Sequence, residues 1–500
     1  MTLVVAALPD SRAATAPDAP ALTDDRMVLD NRAFADAVAR AAGRLRSSGV
    51  ESGEVVGLLL PNRVELVIAL FAAWRLGAAV TPINPALAAP EVGFQVSDAA
   101  ARTVVVEPGV DLDIPGVGLV ECTDLVAGDP VPTPAGLDPD DVALLIYTAG
   151  TTGTPKGVMI THRNIDAMTS TFVDHFGFTA DDHSLLVLPL FHANGVVLGT
   201  LAPLRAGGRA TVVGRFRPDA FFPAVQAHRP TYFSAVPAIY AMLAGLPDDV
   251  VPDTTSLRFG ICGAAPMPTE LIARFEDRYN VPIVEGYGLS ETTTASAINP
   301  VEGLRKPGTV GPALPGQRIR IVDAELRDVP RGESGEVLIA GDVVMAGYLN
   351  RPDATAETIV DGWLRTGDVG RVDDDGYLQL VDRVKDMIIR GGENLYPKEI
   401  ENQIYRHSDV FEAAVIGRPH DVLGEVPVAY VSFRDGATTT TTDIEASLRD
   451  QLAKIKQPVE IIELGDVPKN PVGKIDKPAL RALDAETAVD RAGGDPTGDR

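Results

Sequence analysis

Short, unbroken apolar runs recur between residues 142 and 284, and each run ends in a loop rich in Gly or Pro. The runs are Val142–Tyr147, Leu185–Leu188, Thr211–Val213, Thr231–Phe233 and Val281–Val284. Patterns with helical spacing, such as Pro268–Tyr279, lie between them. Strands that are covered on both faces read as continuous apolar runs, and strands that alternate with helices form βα units. This region is therefore predicted to hold buried strands in βα units.

The segment before this region has a helical pattern. Residues 31–83 show apolar residues at helical spacing, and the strand-like run Val55–Leu60 interrupts them. Between 316 and 384, apolar and polar residues alternate in Arg318–Val322 and in Glu336–Ile339, which indicates smaller, half-exposed strands.

A second pattern begins near residue 385. Helical spacing in 397–407 and 443–453 alternates with the apolar runs Ala413–Ile416 and Val428–Phe433. A chain of 500 residues suggests two or three domains. We predict a large domain at 1–384, a small α+β domain at 385–484, and a disordered tail at 485–500, where polar residues surround Gly and Pro.

The charge of the chain excludes one class of partner. It has 44 Lys and Arg against 69 Asp and Glu, a net charge of −25. A nucleic-acid-binding protein needs a basic surface to displace counterions from phosphate, and anionic lipids also attract basic segments. We therefore expect neither nucleic acid nor a membrane surface as a partner.

Cysteine usage and hydropathy indicate an intracellular protein. Only Cys122 and Cys262 occur, which argues against a disulfide framework or a structural zinc site and fits a reducing compartment. The longest apolar stretch, Leu66–Trp74, is far shorter than the roughly 20 residues that a membrane span needs. The first residues lack the basic region of a signal peptide. A soluble, cytoplasmic protein without a membrane span is expected.

The strongest local motif is Tyr147–Gly157, which directly follows an apolar run and reads Tyr-Thr-Ala-Gly-Thr-Thr-Gly-Thr-Pro-Lys-Gly. Its glycines let successive backbone amides face one point, its hydroxyls add donors, and Lys156 adds positive charge. Such a loop can cradle a polyphosphate. It is not a Walker A loop, because the Gly-Lys-Ser/Thr ending is absent. A flexible surface hairpin is the alternative, and the density of Thr, Gly and Lys disfavours it.

Further motifs follow this loop in a fixed order. Together the set resembles that of the adenylate-forming superfamily, which includes acyl-CoA synthetases, stand-alone adenylation domains and luciferases. The resemblance covers roughly residues 25–480 and is strongest to fatty-acid or carboxylic-acid CoA ligases. An ordered set is far more specific than any single member. The motifs are Pro189–His192, Gly286–Thr292, Thr366–Asp368, Asp382–Asp386, Gly391–Asn394 and Pro468–Lys474.

This resemblance implies an α/β fold and an AMP-forming acid–thiol ligase. The expected architecture is a large N-terminal domain of sheets flanked by helices plus a β-barrel-like subdomain, with a small, mobile α+β lid domain at the C-terminus. The implied reaction converts an acid and ATP to acyl-AMP and pyrophosphate, and then acyl-AMP and coenzyme A to acyl-CoA and AMP. ATP, Mg²⁺ and coenzyme A are therefore the expected cofactors.

The resemblance also implies catalytic residues. Joining a carboxylate to a phosphate brings two anions together, so catalysis rests on positioning and charge neutralisation. Lys474 would lie between the carboxylate and the α-phosphate, and Glu291 with Thr151 would hold Mg²⁺. His192 would be a wall or gate of the acid site. Taken singly, each of these residues could instead have an ordinary structural role, such as that of a solvated lysine or a packed histidine.

The nucleotide residues that the resemblance implies fall in the motifs above. Tyr287 would stack on adenine, Asp368 would accept the ribose hydroxyls, and Arg383 would lock that geometry. The expected ATP- and AMP-binding residues are Thr148, Gly150, Thr151, Thr152, Gly153, Lys156, Gly263, Ala264, Ala265, Glu285, Gly286, Tyr287, Gly288, Ser290, Asp368, Arg383 and Lys474. Ala149 stands where the family usually has serine, which removes one donor from the phosphate loop.

The acid is expected to be apolar. Relatives that activate amino acids carry an aspartate in the segment that here reads Phe191-His192-Ala193-Asn194-Gly195, and relatives that activate malonate carry an arginine where Gly286 stands. A medium or long aliphatic acid and an aryl or alicyclic acid fit equally well. The expected acyl-pocket residues are His192, Ala193, Asn194, Val236, Ala264 and Gly286.

The resemblance makes Lys385 a hinge about which the small domain rotates after adenylation. Gly391 and Gly392 would then line a tunnel for the pantetheine arm of coenzyme A, where a missing side chain lets the thiol approach. The alternatives are that Lys385 is only a lysine in a linker and that Gly391 and Gly392 only form a turn.

Other functions remain open at this point. An enzyme that loads an acyl group on a carrier protein, a luciferase-like oxygenase and an inactive nucleotide-binding regulator are the alternatives, in that order. The presence of Lys474 and Glu291 argues against an inactive regulator. The sequence does not set the oligomeric state, and a homodimer is one candidate.

Overall fold

A computed structural model describes residues 4–132, 137–148, 154–265, 267–391, 393–469 and 475–492. Mixed sheets and many helices make this an α/β protein, which confirms the predicted fold class. Among the described helices, none combines the length and the hydropathy that a membrane crossing requires.

The α-helices are α1 (Leu8–Thr15), α2 (Asn31–Ser47), α3 (Val64–Arg75), α4 (Ala89–Asp98), α5 (His162–Phe176), α6 (Ala193–Val196), α7 (Ala202–Arg205), α8 (Pro218–His228), α9 (Pro237–Ala244), α10 (Thr269–Tyr279), α11 (Pro352–Thr358), α12 (Pro397–Ile404), α13 (Thr441–Gln451) and α14 (Lys477–Ala492). A π-helix, Val197–Leu201, joins α6 to α7. Short 3₁₀ helices span Cys122–Ala127, Ser290–Thr292, Val384–Asp386 and Lys454–Lys456.

The strands are β1 (Pro20–Thr23), β2 (Val28–Asp30), β3 (Val55–Leu59), β4 (Ala79–Pro82), β5 (Thr103–Val106), β6 (Gly118–Glu121), β7 (Val142–Thr148), β8 (Lys156–Thr161), β9 (His183–Leu186), β10 (Arg209–Val212), β11 (Tyr232–Ala235), β12 (Phe259–Cys262), β13 (Ile283–Tyr287), β14 (Ala297–Ile298), β15 (Arg318–Val322), β16 (Gly335–Ala340), β17 (Gly347–Tyr348), β18 (Ile359–Val360), β19 (Trp363–Val372), β20 (Leu378–Arg383), β21 (Ile388–Arg390), β22 (Glu393–Leu395), β23 (Val410–His420), β24 (Gly424–Phe433) and β25 (Glu460–Glu463).

Two large sheets organise the first part of the chain. One has eight strands in the order β14-β13-β12-β11-β9-β10-β1-β2, and the other has seven in the order β17-β8-β7-β4-β3-β5-β6. In the first sheet, β9, β10, β11, β12 and β13 run parallel to one another, because βα connections return each strand in the same direction, whereas β14 pairs with β13 in the antiparallel sense. A third sheet has the order β15-β16-β19-β18, with β20 paired to β19.

The largest core holds side chains of both large sheets. It includes Val105 of β5 and Ile261 of β12, together with the buried faces of α2 and α5 and nearly all of α3. Every residue of α3 is buried, which explains why its sequence is apolar, without an amphipathic pattern, except at the ion-paired Glu65 and Arg75. Neighbouring residues of a strand enter different cores: Tyr232 packs in this cluster and Phe233 in a second one on the other face.

The C-terminal sheet is also buried on both faces. Its order is β22-β21-β24-β23, with β25 parallel to β24. In β23, Val415 packs in a cluster with α12 and α13, whereas Ile416 packs in another cluster with Leu480 of α14. Helix α14 is fixed further by Asp484, which accepts hydrogen bonds from Arg418 and from the hydroxyl of Tyr430.

By its internal contacts the chain divides into two compact units. The first comprises residues 1–320, 338–366 and 372–379, and the second comprises 321–337, 367–371 and 380–500. The domain boundaries expected from the sequence, 1–384, 385–484 and 485–500, stay predictions. Helix α14 runs across residue 484 as far as Ala492.

The predicted strands between 142 and 284 are confirmed to within a few residues as β7, β9, β10, β11 and β13, and α10 matches the predicted helix. The helical interpretation of 31–83 is wrong at its end, because Ala79–Pro82 forms β4. This strand pairs in parallel with β3 and β7, so pairing within the sheet decides its structure.

Candidate functional site

Four of the predicted acyl-pocket residues lie near or after the carboxyl ends of strands of the eight-stranded sheet. Ala264 follows β12, Val236 follows β11, and Gly286 lies near the end of β13, while His192 comes a few residues after β9. These strands are neighbours in the order β13-β12-β11-β9 and run parallel. Their carboxyl ends therefore meet at one edge of the sheet, where open α/β sheets bind ligands. The structure brings these residues to one edge.

Backbone segments approach each other closely at this edge. A Cβ atom placed on Gly263 would lie 3.3 Å from the carbonyl oxygen of Gly286, and one placed on Gly286 would lie 3.1 Å from Cγ1 of Ile298. Ala264 has a φ of 68°, which is uncommon for a residue with a side chain. A side chain at Gly263 or Gly286 would need its neighbours to shift, so packing favours small residues at this edge.

The segment after His192 is helical and irregular. Helix α6 passes directly into the π-helix Val197–Leu201, and the hydroxyl of Thr200 donates to the carbonyl of Gly195. A π-turn within a helix is frequent at functional sites. The Oδ1 atom of Asn194, in the first turn, is buried and accepts no hydrogen bond from the described residues.

The two ends of the glycine- and threonine-rich loop lie opposite each other. β7 and β8 form an antiparallel hairpin in which Thr148 pairs with Lys156 and Tyr147 pairs with Gly157. A Cβ atom on Gly157 would lie 3.2 Å from the ring of Tyr147, so this position is crowded. The hairpin thus carries the predicted phosphate loop between Thr148 and Lys156.

Some predicted residues lie outside the described part of the chain. They are Gly150, Thr151, Thr152, Gly153, Gly392 and Lys474, together with Ala149. Their roles stay predictions.

A tyrosine connects Lys156 to Glu291. The hydroxyl of Tyr348 donates to Oε1 of Glu291 at 2.9 Å, and Nζ of Lys156 lies 4.9 Å from the centre of the same ring. Tyr348 is 8% exposed, and burial, followed by the charge of Glu291, raises its pKa. The phenol therefore stays protonated and keeps its hydrogen on the carboxylate at neutral pH.

The backbone around Glu291 is held in an unusual conformation. Thr293 and Thr294 have φ values of 54° and 115°, which β-branched residues adopt rarely. The amide of Met345 donates to the carbonyl of Glu291, and the hydroxyl of Thr293 donates to the carbonyl of Val343. The segment Val343–Met345 therefore fixes the turn that presents Glu291, and such strain is found mostly at functional sites.

Glu285 is a buried carboxyl group next to the predicted adenine segment. Glu285 is 8% exposed, and its partner on the neighbouring strand is Cys262. Burial raises the pKa of Glu285 to about 7, and the backbone amide of Gly308 partly opposes this shift. Burial also raises the pKa of the Cys262 thiol, which is therefore not a reactive thiolate. Tyr287 is buried two residues later.

The predicted ribose-binding pair is in contact within the second unit. Nε of Arg383 donates to Oδ1 of Asp368 at 2.8 Å, and Asp368 is buried while Arg383 is exposed. Lys385 is exposed in the 3₁₀ helix that follows β20. Gly391 has a φ of 60°, and its amide donates to the carbonyl of Leu423. The remaining candidates Ala193, Ala265, Gly288 and Ser290 lie within the first unit.

Sequence reasoning missed Tyr348. Its only local mark is the Gly347-Tyr348 dipeptide, and its contact with Glu291 depends on the pairing of β17 with β8. It also missed Asp98, which accepts hydrogen bonds from the Tyr147 hydroxyl at 2.9 Å and from Arg351 at 3.1 Å. These contacts join residues that are far apart in the chain, so no short motif contains them.

Comparison with known proteins decides the family. The model of the AMP-binding enzyme family matches residues 9–349, and that of the AMP-binding enzyme C-terminal domain matches residues 399–474. The chain belongs to the AMP-binding enzyme family. The resemblance stated from the motifs is thereby confirmed.

The relatives of this AMP-binding enzyme match over almost their whole length. A feruloyl-CoA synthase of Amycolatopsis sp. is 36% identical over 481 residues, which cover 95% of this chain and 97% of that protein. A long-chain-fatty-acid–CoA ligase of Mycobacterium tuberculosis is 36% identical over 88% of this chain and 90% of its own. The crystal structure of ATP-bound MatB from Rhodopseudomonas palustris superposes with a TM-score of 0.90 at 31% identity, covering 97% of this chain and 99% of that one. An AMP-forming acid–thiol ligase is therefore confirmed as the class of enzyme.

Replacing Tyr348 with Phe tests the link to Glu291. The ring that faces Lys156 remains, while the hydrogen bond that orients the carboxylate of Glu291 is lost. Because Glu291 is the predicted Mg²⁺ ligand, we expect binding of ATP with Mg²⁺ to weaken about fivefold, the equivalent of ~1 kcal/mol. Isothermal titration calorimetry with ATP in excess Mg²⁺ measures this. Tyr377→Phe is a matched control, because Lys306 lies 4.6 Å from that ring and its hydroxyl donates to the carbonyl of Leu304. Equal losses in both variants would contradict the assignment.

The raised pKa of Glu285 predicts how stability depends on pH. The folded chain binds this proton more tightly than the unfolded chain, so the contribution is present below about pH 4.5 and is lost as the pH rises through about 7. Glu285→Gln has no such group, and its free energy of unfolding should fall less than that of the original chain between those values. Urea unfolding without nucleotide measures this, with Glu270→Gln at an exposed position as control. Parallel pH profiles for the original chain and Glu285→Gln would contradict this prediction, because they would show that folding leaves the pKa of Glu285 unchanged.

Proposed function

We propose that this chain is an ATP-dependent acid–CoA ligase that acts on an apolar carboxylic acid. The observation that carries the proposal is the similarity, over nearly the full chain, to enzymes that are named CoA ligases. In the first step a carboxylate oxygen attacks the α-phosphorus of ATP and pyrophosphate leaves. In the second, the thiolate of coenzyme A attacks the acyl carbon and AMP leaves with that oxygen.

The described residues suit the charges of the first step. Lys156 and the hydroxyls of Thr148 and Ser290 would contact phosphate, because they lie in the predicted phosphate-binding segments and supply a cation and donors. Tyr287 would face adenine, and Asp368 with Arg383 would bind the ribose. Lys474 would lie on the carboxylate and the α-phosphate during transfer.

Glu291 is suited to Mg²⁺. Its carboxylate is a hard oxygen donor that is partly exposed, and Tyr348 orients one of its oxygens. Mg²⁺ in nucleotide sites prefers one or two carboxylates together with phosphate oxygens and water. When bound, the ion would neutralise phosphate charge, and Thr151 would add a hydroxyl ligand.

The acid site supports an aliphatic, aryl or alicyclic acid without a second charge. Gly286 offers no cation for a second carboxylate, and the segment Phe191–Gly195 offers no anion for an ammonium group. Two of the relatives at 36% identity are named for an aryl acid and for long-chain fatty acids. We therefore propose this breadth of substrate, with His192, Val236 and Ala264 as walls of the pocket.

Coenzyme A is the proposed acceptor. The relatives are named CoA ligases, and the alignment with the feruloyl-CoA synthase leaves no room for a large extra segment in this chain, since its 481 residues cover 95% of this chain and 97% of that protein. A carrier protein is the second candidate, and no observation favours it. A cytoplasmic location, a place in fatty acid metabolism and a homodimer remain predictions.

The function is tested by AMP release from ATP and Mg²⁺ over a panel of acids, with and without coenzyme A. The panel contains aliphatic acids of several lengths and benzoic, cinnamic and alicyclic acids. We expect release that requires an apolar acid and increases with coenzyme A. Pyrophosphate formation without any effect of coenzyme A would instead point to a carrier protein.

Replacing Lys474 with Ala should separate the two steps. We expect acyl-AMP formation to fall by at least about 100-fold, because a charge that acts on the transferred group is lost. Thioester formation from supplied acyl-AMP should persist. Rapid-quench assays of each step measure this, and Lys456→Ala, which removes a lysine paired with Glu399 in the same unit, is the control. Equal loss of both steps would refute the proposed role.

Replacing Gly391 with Leu should impair the second step, transfer to coenzyme A, and spare the first. A side chain at this position would narrow the proposed pantetheine path, so transfer to coenzyme A should fall while acyl-AMP still forms. Strain from the positive φ of 60° is controlled by Gly436→Leu, which lies in the same unit at a φ of 79° with open space around it. Unimpaired transfer in Gly391→Leu would remove the tunnel from the account.

A further inference from the structure

One asparagine outside the predicted motifs connects the ends of three strands. The side-chain amide of Asn62 donates to the carbonyl of Leu188 at 2.9 Å and to the carbonyl of Val213 at 3.1 Å. Its Oδ1 accepts the amide of Leu190 at 2.8 Å. Asn62 follows β3 of the seven-stranded sheet, whereas its partners follow β9 and β10 of the eight-stranded sheet. Its hydrogen bonds therefore join the two sheets.

The turn that carries Asn62 is itself fixed. The neighbouring Arg63 is 4% exposed and pairs with Glu65 and with Glu107. The amide of Val64, which begins α3, donates to Oδ2 of Asp24 at 2.9 Å. Asn62 is therefore held in place on both its backbone and its side chain, as a residue that orients others must be.

The turn that Asn62 binds supports the acid-site segment. The amide of His192 donates to the carbonyl of Pro189, between the two residues that Asn62 contacts. Helix α6 packs on the same carbonyl, since a Cβ atom on Gly195 would lie 2.4 Å from it. The positions of His192 and of Asn194 therefore depend on this turn.

We infer that Asn62 is a positioning residue for the acid site. Its three hydrogen bonds fix Leu188–Leu190 relative to the end of β10, and thereby set where His192 and α6 stand at the edge of the sheet. This inference rests on the proposed function. Its consequence is selective: loss of Asn62 moves the wall of the acid site and leaves the β7–β8 hairpin and Glu291, which have other supports, in place.

The test is a comparison of Michaelis constants in acid-dependent exchange between ATP and pyrophosphate. For Asn62→Ala we expect the KM of the acid to rise about tenfold, because a small displacement of a binding wall weakens productive binding, while the KM of ATP changes by less than about twofold. Asn62→Asp should shift in the same direction. It keeps the acceptor for Leu190 but sets a second oxygen against two carbonyl groups. Should Asn62→Ala fail to fold, this second variant carries the test.

Asn31→Ala is the matched control. Asn31 is 2% exposed, accepts a hydrogen bond from Arg12 and donates to the carbonyl of Ala16. Arg12 in turn donates to the carbonyls of Leu204 and Gly208, so Asn31 supports the far end of the helical segment that begins with α6 and not the turn at Leu188–Leu190. It should lower the unfolding temperature without changing the KM of the acid. An unchanged acid KM in Asn62→Ala and Asn62→Asp, or acid and ATP values that rise together, would overturn the inference alone. Absence of exchange in the original chain with every acid would overturn the proposed function and the inference with it.

Discussion

The parallel register of β9, β11, β12 and β13 is the constraint on which the candidate site depends. Hydrogen bonding between these strands brings their carboxyl ends to one edge. Close approach of the backbones at Gly263 and Gly286 then leaves that edge with little side-chain bulk. Cores on both faces of the sheet keep the strands in place. The site is therefore a property of the sheet, and the loops only complete it.

The second requirement is electrostatic. The proposed reaction brings a carboxylate to a polyphosphate on a chain with a net charge of −25. Positive charges must therefore be concentrated where the two anions meet. Lys156 at the phosphate loop and Glu291 at the proposed Mg²⁺ position are linked by Tyr348. Within the first unit, Tyr348 therefore contacts both the ammonium group of Lys156 and the carboxylate of Glu291, which is the proposed Mg²⁺ ligand. In the second unit, the contact of Arg383 with Asp368 fixes the proposed ribose-binding carboxylate.

Much of this could be predicted from the sequence, and the failures have physical causes. Apolar runs identified β7, β9 and β13 because a strand that is buried on both faces has few polar residues. The pattern failed at Ala79–Pro82, where pairing with β3 and β7 decides the structure. Ordered motifs identified the family and the main candidate residues. Tyr348 and Asn62 escaped because their roles come from partners at least 57 residues away, which no local pattern records.

The proposed reaction activates the acid as an acyl adenylate. Its most direct test is a turnover with the accepted acid labelled with ¹⁸O in both carboxylate oxygens, followed by mass spectrometry of the products. Because the oxygen that attacks the α-phosphorus leaves with AMP, one ¹⁸O atom should appear in AMP and none in pyrophosphate. Unlabelled AMP formed together with acyl-CoA would contradict the account, since the carboxylate oxygen would then not have bonded to the α-phosphorus.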